Sequence, residues 1–311
     1  MWANEKEPLL KVEDLCMYFK QGSFVTKASE KVSFHIDKGE TYGLVGESGS
    51  GKSTVGRCII RLYDPTSGKI FFQGEDISGK LTKEKEKLLR EGIQMIFQDP
   101  LSSLNPRKKA MDIVGEGLDI HHMYKDSKER REKILKALNT VGLSPEMAER
   151  YPAQFSGGQR QRLGIARALI MEPSLIIADE CIAALDVSIQ AQIVNMLRKI
   201  KTEYATSFLF ISHDLSMVRY LSDRIGVLHL GYLLETGRPD DIFDNPVHPY
   251  TKSLLSAIPT PNPVVRMREQ VRYDVSEAGV YYDKGFWHDV GGGHRVWCSD
   301  REFEMWTGDK A

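Results

Sequence analysis

The sequence predicts an α/β fold with a parallel-sheet core, an N-terminal β subdomain and an inserted helical subdomain. Three patterns carry that expectation. First, apolar runs of strand length at Leu175 to Ala178, Ser207 to Ile211 and Arg224 to Leu228 alternate with helical stretches at about Ser188 to Tyr204 and Leu215 to Ser222. That order builds a parallel sheet with crossover helices. Second, the N-terminal third reads as short strands around one helix: Leu9 to Tyr18, Lys31 to Ile36, Thr41 to Val45, a helix opening near Lys52, then Lys69 to Phe72 and Ile93 to Phe97. Third, helical periodicity fills about Ala110 to Glu172. Around Ser127 to Thr140, for example, Ile134, Leu135, Leu138 and Val141 share one face.

Composition bounds the function classes. The chain has 311 residues, 41% hydrophobic and 27% charged, ordinary globular values that exclude a disordered tail or a fibrous repeat. Lys and Arg number 42 against 43 Asp and Glu, a net charge of −1, so no global positive field points to nucleic acid. No run approaches the roughly 18 apolar residues of a membrane-spanning helix, and the start, Met1 to Pro8, lacks a secretory pattern, which leads us to expect a cytoplasmic chain. Cys16, Cys58, Cys181 and Cys298 lie far apart with no Cys-x-x-Cys pair, arguing for free thiols rather than a disulfide framework or zinc ribbon. The run Lys83 to Lys87 is mixed in sign and reads as a solvated helix face. Pro259, Pro261 and Pro263 mark the start of a tail or small appended unit near residue 260.

The strongest chemical signal is Gly46-Glu47-Ser48-Gly49-Ser50-Gly51-Lys52-Ser53-Thr54, a Gly-x4-Gly-Lys-Ser pattern between an apolar strand and a helix. Glycines at these positions allow backbone conformations that turn successive N–H groups inward around phosphates, and the helix N-terminus adds its positive end. Lys52 is placed for the β and γ phosphates, Ser53 for Mg²⁺ and Thr54 for the α phosphate. A second signal is the apolar strand Leu175 to Ala178 running into Asp179 and Glu180. In open α/β sheets ligands sit at the carboxyl ends of strands, so Asp179 is expected near the Mg²⁺, through water, and Glu180 as the base that activates an attacking water. Taken alone, the same pair could simply cap the following helix.

Phe155-Ser156-Gly157-Gly158-Gln159-Arg160-Gln161-Arg162 matches the signature of ATP-binding cassette (ABC) subunits, and here the chain resembles the P-loop NTPases of that family. Locally, Ser156 and Gln159 also fit a helix-capping box. The resemblance implies that Ser156, Gly157, Gly158 and Gln159 meet the ATP held by an opposite subunit in a head-to-tail dimer. It assigns Asp186 to the segment crossing between the two sites and Gln98, after the strand Ile93 to Phe97, to Mg²⁺ and water. It sets His213 on the γ phosphate and Tyr18 against the adenine, although Phe19 is adjacent.

Phe97-Gln98-Asp99-Pro100 and His248-Pro249-Tyr250-Thr251 resemble the oligopeptide and dipeptide permease group. The resemblance implies an ATP-hydrolysing subunit, peripheral to the cytoplasmic face of the membrane, that uses ATP and Mg²⁺. Its partners would be a second ATPase, related or identical, two membrane permeases and, indirectly, a substrate-binding protein, with no nucleic acid. The domain expectation is an ABC domain over residues 1–259, its helical subdomain at about 105–172, and a C-terminal extension over 260–311. Rival readings are import of a metal chelate, glutathione or opine, a small-molecule P-loop kinase, which has no use for the signature, and a clamp ATPase, which needs heptad arms that this chain lacks. Cys181 stands where the group has Pro, and a thiol there suggests alkylation-sensitive turnover. His294 and Cys298, four residues apart, invite a metal site, although four good ligands are needed. The tail is otherwise expected to serve as a packed aromatic lid or a contact with the partner ATPase.

Overall fold

The structure is a computed structural model that describes residues 7–99, 103–183, 185–257, 273 and 282–308. In chain order its strands and helices are β1 Leu10–Gln21, β2 Phe24–Ile36, β3 Thr41–Val45, α1 Lys52–Ile59, β4 Ser67–Phe72, β5 Glu75–Asp76, α2 Lys83–Gly92, β6 Ile93–Ile96, α3 Ala110–His121, α4 Ser127–Thr140, α5 Gly157–Leu169, β7 Leu175–Asp179, α6 Val187–Tyr204, β8 Ser207–Ser212, α7 Leu215–Leu221, β9 Arg224–His229, β10 Tyr232–Gly237, α8 Pro239–Asp244, α9 Pro249–Ser256, β11 Phe286–Gly291, β12 His294–Cys298 and α10 Asp300–Thr307. They divide into two compact units, the first Met1–Leu10, Ile36–Glu40 and Phe71–Phe210, the second Lys11–His35, Thr41–Ile70 and Ile211–Ala311.

In the first unit β6 and β7 pair in parallel, Ile93 opposite Leu175 and Ile96 opposite Ala178. Every residue of β7 is buried, as a parallel strand covered on both faces requires. The helical segment packs α3 against α4 and α5 through Ile113, Val114, Leu118, Ile134, Leu138, Leu163 and Ile165, all buried. Arg130 on α4 grips Asp119 on α3 with two parallel bonds of 2.6 and 2.7 Å, the fork geometry in which a guanidinium is strongest. That pairing holds the Asp119 carboxyl below its usual range.

The second unit contains the hairpin of β1 and β2 and a sheet of strand order β11-β12-β10-β9-β3. Its β3–β9 pair is parallel, as the alternating pattern predicts, while β9–β10, β10–β12 and β11–β12 are antiparallel. Residues 286–298 thus add two strands to the sheet that contains β3. The boundary expected near residue 260 lies outside the described residues. Behind β12, Val247, Val296 and Cys298 form a small core on which Phe303 and Trp306 of α10 pack. Ser299 starts that helix with a capping box to Glu302.

Candidate functional site

The glycine loop belongs to the second unit. β3 is buried along its whole length and delivers the chain to Gly46. Gly46 has φ +152°, and a Cβ there would lie 2.0 Å from the Leu228 carbonyl oxygen. Gly51 has φ +105°, and its Cβ would meet the Ala28 carbonyl oxygen at 2.0 Å. Neither position accepts a side chain, which is why the spacing of the motif holds. Within the loop the Lys52 ammonium, 3% exposed, donates to the Gly46 and Glu47 carbonyl oxygens at 2.8 and 2.7 Å and to Ser50 Oγ at 3.4 Å. Gly51 caps α1 without a side chain. The first N–H groups of the helix therefore keep no side-chain cap, the arrangement that receives an anion. Ser53 and Thr54 occupy the first turn of α1, half-buried, and Glu47, Ser48 and Gly49 are exposed. His213 follows β8 and is exposed.

Tyr18, on β1, donates its hydroxyl to Glu30 Oε2 at 2.8 Å, with the Lys27 ammonium 5.5 Å from its ring. The bond to that carboxylate, with burial, pushes the phenol well above its usual range. Phe19 is more exposed and meets Tyr63 edge-on at 5.4 Å.

The acids belong to the first unit. Asp179 ends β7 and is 1% exposed. Glu180 follows in the left-handed region at φ +45°, a conformation costly for a non-glycine residue and common at working sites. Gln98 and Glu180 each lie two residues beyond the paired Ile96 and Ala178, so the parallel register itself carries them together. The Gln98 side-chain amide donates to Glu180 Oε2 at 2.8 Å.

The signature opens α5. Ser156 Oγ accepts from the Gln159 N–H at 3.3 Å and Gln159 Oε1 accepts from the Ser156 N–H at 3.0 Å. The capping box therefore occupies the Gln159 side chain. Ser156 and Gly157 are exposed, and a Cβ on Gly158 would sit 2.7 Å from Ile189 Cγ2. Asp186 precedes α6 as an exposed N-cap residue without a side-chain cap bond.

Two expectations are corrected. Cys181 is 2% exposed, and burial pushes its thiol up to about 12, so it is a shielded, protonated packing group and not a reactive thiol. His294 and Cys298 lie on a strand, where four residues span roughly 13 Å, too far for one metal. His294 Nε2 instead meets the buried Glu235 carboxylate at 2.8 Å. Among the described residues there is no cluster of three or more His, Cys, Asp or Glu that could hold a metal ion.

One connection was invisible to motif reading: the Tyr250 hydroxyl accepts the Glu47 N–H at 3.0 Å across 203 residues of sequence. His248 to Thr251 stood out as a motif, but no local pattern ties it to the loop.

A buried strand ending in a glycine loop around a caged lysine, and a second strand ending in paired acids, define a nucleotide-binding ATPase. Residues 29–183 match the ABC transporter family, and residues 234–280 match the oligopeptide/dipeptide transporter C-terminal region. The chain is 51% identical over 303 residues to the oligopeptide transport ATP-binding protein OppF of Bacillus subtilis (strain 168), covering 97% of this chain and 99% of that protein. It is 48% identical to AmiF of Streptococcus pneumoniae, an oligopeptide transport ATP-binding protein, covering 95% and 96%. Among solved structures it is similar to a dimeric ATP-binding cassette bound to ADP and Pi, at 30% identity and a TM-score of 0.68, covering 74% of this chain and 98% of that one. The structure of cbiO1 from Clostridium perfringens, part of the ABC transporter complex cbiONQ, gives 28% identity and a TM-score of 0.68 over 77% of this chain and 92% of that one. The chain belongs to the ABC transporter family, among its oligopeptide transport ATP-binding proteins. It binds and hydrolyses ATP as a transport subunit. Among the described residues no helix is long and apolar enough to cross a membrane.

Proposed function

We propose that this chain powers oligopeptide import, working as a peripheral subunit on the cytoplasmic face of two membrane permeases fed by a substrate-binding protein. Peptide cargo is supported by the names of its relatives and by the match over residues 234–280. The observation that carries the catalytic reading is the caged Lys52: an ammonium pointed at its own loop carbonyls is set to transfer to phosphate oxygens. Gly46 to Thr54 cradle the phosphates, and Tyr18 packs against the base.

Ser53, Asp179 and Gln98 offer oxygen donors, the set that Mg²⁺ takes, with Asp179 acting through water. Bound there, Mg²⁺ would neutralise charge on the phosphate oxygens. Glu180 takes the proton of the attacking water, Gln98 orients that carboxylate, and His213 hydrogen-bonds the γ phosphate. Ser156, Gly157 and Gly158 present an O–H and N–H groups to the nucleotide of a second ATPase subunit, related or identical, and Asp186 faces across that interface. The dimeric cassettes among its structural relatives support that pairing. In functional terms residues 1–259 act as the ATPase domain, with the helical subdomain at about 105–172, and residues 260–311 as its extension.

Purifying the tagged chain from its membrane fraction should co-isolate two permeases and a second ATPase, and oligopeptide with binding protein should raise ATP turnover in reconstituted vesicles. Turnover indifferent to oligopeptides but raised by another solute would overturn the cargo assignment.

A further inference from the structure

The loop is held from outside by a residue with no place in the phosphate-binding motif. The Gly46–Glu47 peptide is clamped at both ends: its carbonyl oxygen receives the Lys52 ammonium at 2.8 Å and its N–H donates to the Tyr250 hydroxyl at 3.0 Å. Burial keeps the Tyr250 phenol well above its usual range, so the hydroxyl stays neutral and able to accept at any working pH. When Lys52 leaves the carbonyl for phosphate oxygens, the Tyr250 bond remains to fix that peptide plane.

Tyr250 is itself held by His229 and His248, and both of these touch residues from the C-terminal end of the chain. Its ring stacks on His229 at 3.9 Å and 22°. His229 Nδ1 lies 2.8 Å from the Tyr282 hydroxyl, which donates to the Tyr273 hydroxyl at 3.2 Å. The Tyr282 carbonyl in turn receives the Trp297 indole N–H at 2.8 Å. The Tyr250 backbone N–H donates to His248 Nδ1 at 3.0 Å, and the His248 ring meets Trp306 edge-on at 4.9 Å.

We propose that Tyr250 is a positioning residue of the phosphate loop and that the C-terminal segment, through Tyr273, Tyr282 and Trp306, sets nucleotide affinity by fixing it. The proposal rests on the phosphate-loop reading of residues 46–54. Without the hydroxyl, the Gly46–Glu47 peptide loses the anchor that keeps its plane when Lys52 turns away, and the cradle spends part of its time closed to phosphate. A bound nucleotide must then select the open fraction, which raises the apparent dissociation constant.

The test is a titration of the full-length chain with ATP and Mg²⁺. Tyr250→Phe keeps the ring on His229 and removes only the acceptor. It should weaken binding about threefold to tenfold, the loss of one neutral hydrogen bond, and raise KM for ATP by a larger factor than it lowers kcat. The melting temperature without nucleotide should move little. Tyr282→Phe should weaken binding less, and the double variant should be no worse than Tyr250→Phe alone, because both act through one hydroxyl. Unchanged affinity in Tyr250→Phe, or additive losses in the double variant, would overturn the proposal. Lys52→Ala separates the two readings. If it loses nucleotide while Tyr250→Phe does not, only the positioning role falls; if it binds normally, the phosphate-loop reading falls and takes the positioning role with it.

Discussion

The Gln98 amide donates to the Glu180 carboxylate at 2.8 Å because β6 and β7 run in parallel with Ile96 opposite Ala178, two residues before each. An amide donor can orient a carboxylate without supplying a proton, so in the proposed reaction Glu180 would carry the charge and Gln98 would aim it. Glu180→Gln should bind ATP normally and lower turnover about a hundredfold or more, the usual size of general-base catalysis. Gln98→Ala should cost less, because Glu180 keeps its charge and loses its orientation, while the proposed Mg²⁺ site loses one of its three oxygen donors. Single-turnover hydrolysis beside equilibrium nucleotide binding checks both, and normal turnover in Glu180→Gln would remove it as the base.

Cys181 is adjacent in sequence to that carboxylate, yet its environment is opposite in character. Burial raises its thiol to about 12, and all four cysteines are buried. A maleimide at neutral pH should leave the native chain unlabelled and its turnover unchanged, while denaturant should expose four reactive thiols. Mass spectrometry of native and unfolded samples decides it. Rapid native labelling at Cys181 would mean that the loop after β7 opens far more readily than its packing indicates.

The sequence was most legible where one short segment determines both its conformation and its chemistry. The run from Thr41 to Thr54 shows a buried strand, a loop whose Gly46 and Gly51 exclude a side chain and a helix start, and all three are present. The Ser156 and Gln159 capping box was readable for the same reason, its partners lying three residues apart. Contacts that depend on pairing between distant strands were not readable. His294 and Cys298 suggest a shared ligand only if their segment is helical; on β12 they are two of three buried positions on one face, and His294 faces Glu235. Tyr250 belongs to a readable motif, but its bond to Glu47 depends on where α9 comes to rest, which no local spacing encodes.

The loop glycines should differ sharply in tolerance. At Gly46 a Cβ would meet a backbone carbonyl that cannot move aside, whereas Gly49, at φ +80°, has nothing within 4 Å. Gly46→Ala should cost at least about 3 kcal/mol and abolish nucleotide binding. Gly49→Ala should cost about 1 kcal/mol, the strain of a left-handed alanine. Urea midpoints for the two variants measure the difference, and equal midpoints would show that the clash at Gly46 is relieved by backbone movement.

Acid should weaken the second unit through His248 and the half-buried His229. His248 is fully buried and its Nδ1 accepts the Tyr250 N–H, so that nitrogen must keep its lone pair and the ring must stay neutral. Burial above all, helped by the nearby His229 and Lys252, depresses its pKa to about 3, and burial alone depresses that of His229 to about 4. In the unfolded chain both return to an ordinary value near 6.5. The unfolded state therefore binds more protons between those limits, and the stability present above pH about 6.5 is lost as the pH falls through that window, by up to about 1.4 kcal/mol per pH unit for each ring. Urea midpoints at pH 7.5, 6.5 and 5.5 should fall, and His248→Asn, which keeps a side-chain acceptor for the Tyr250 N–H but cannot titrate, should flatten the fall while lowering stability at pH 7.5. An identical slope in that variant would assign the acid sensitivity to other groups.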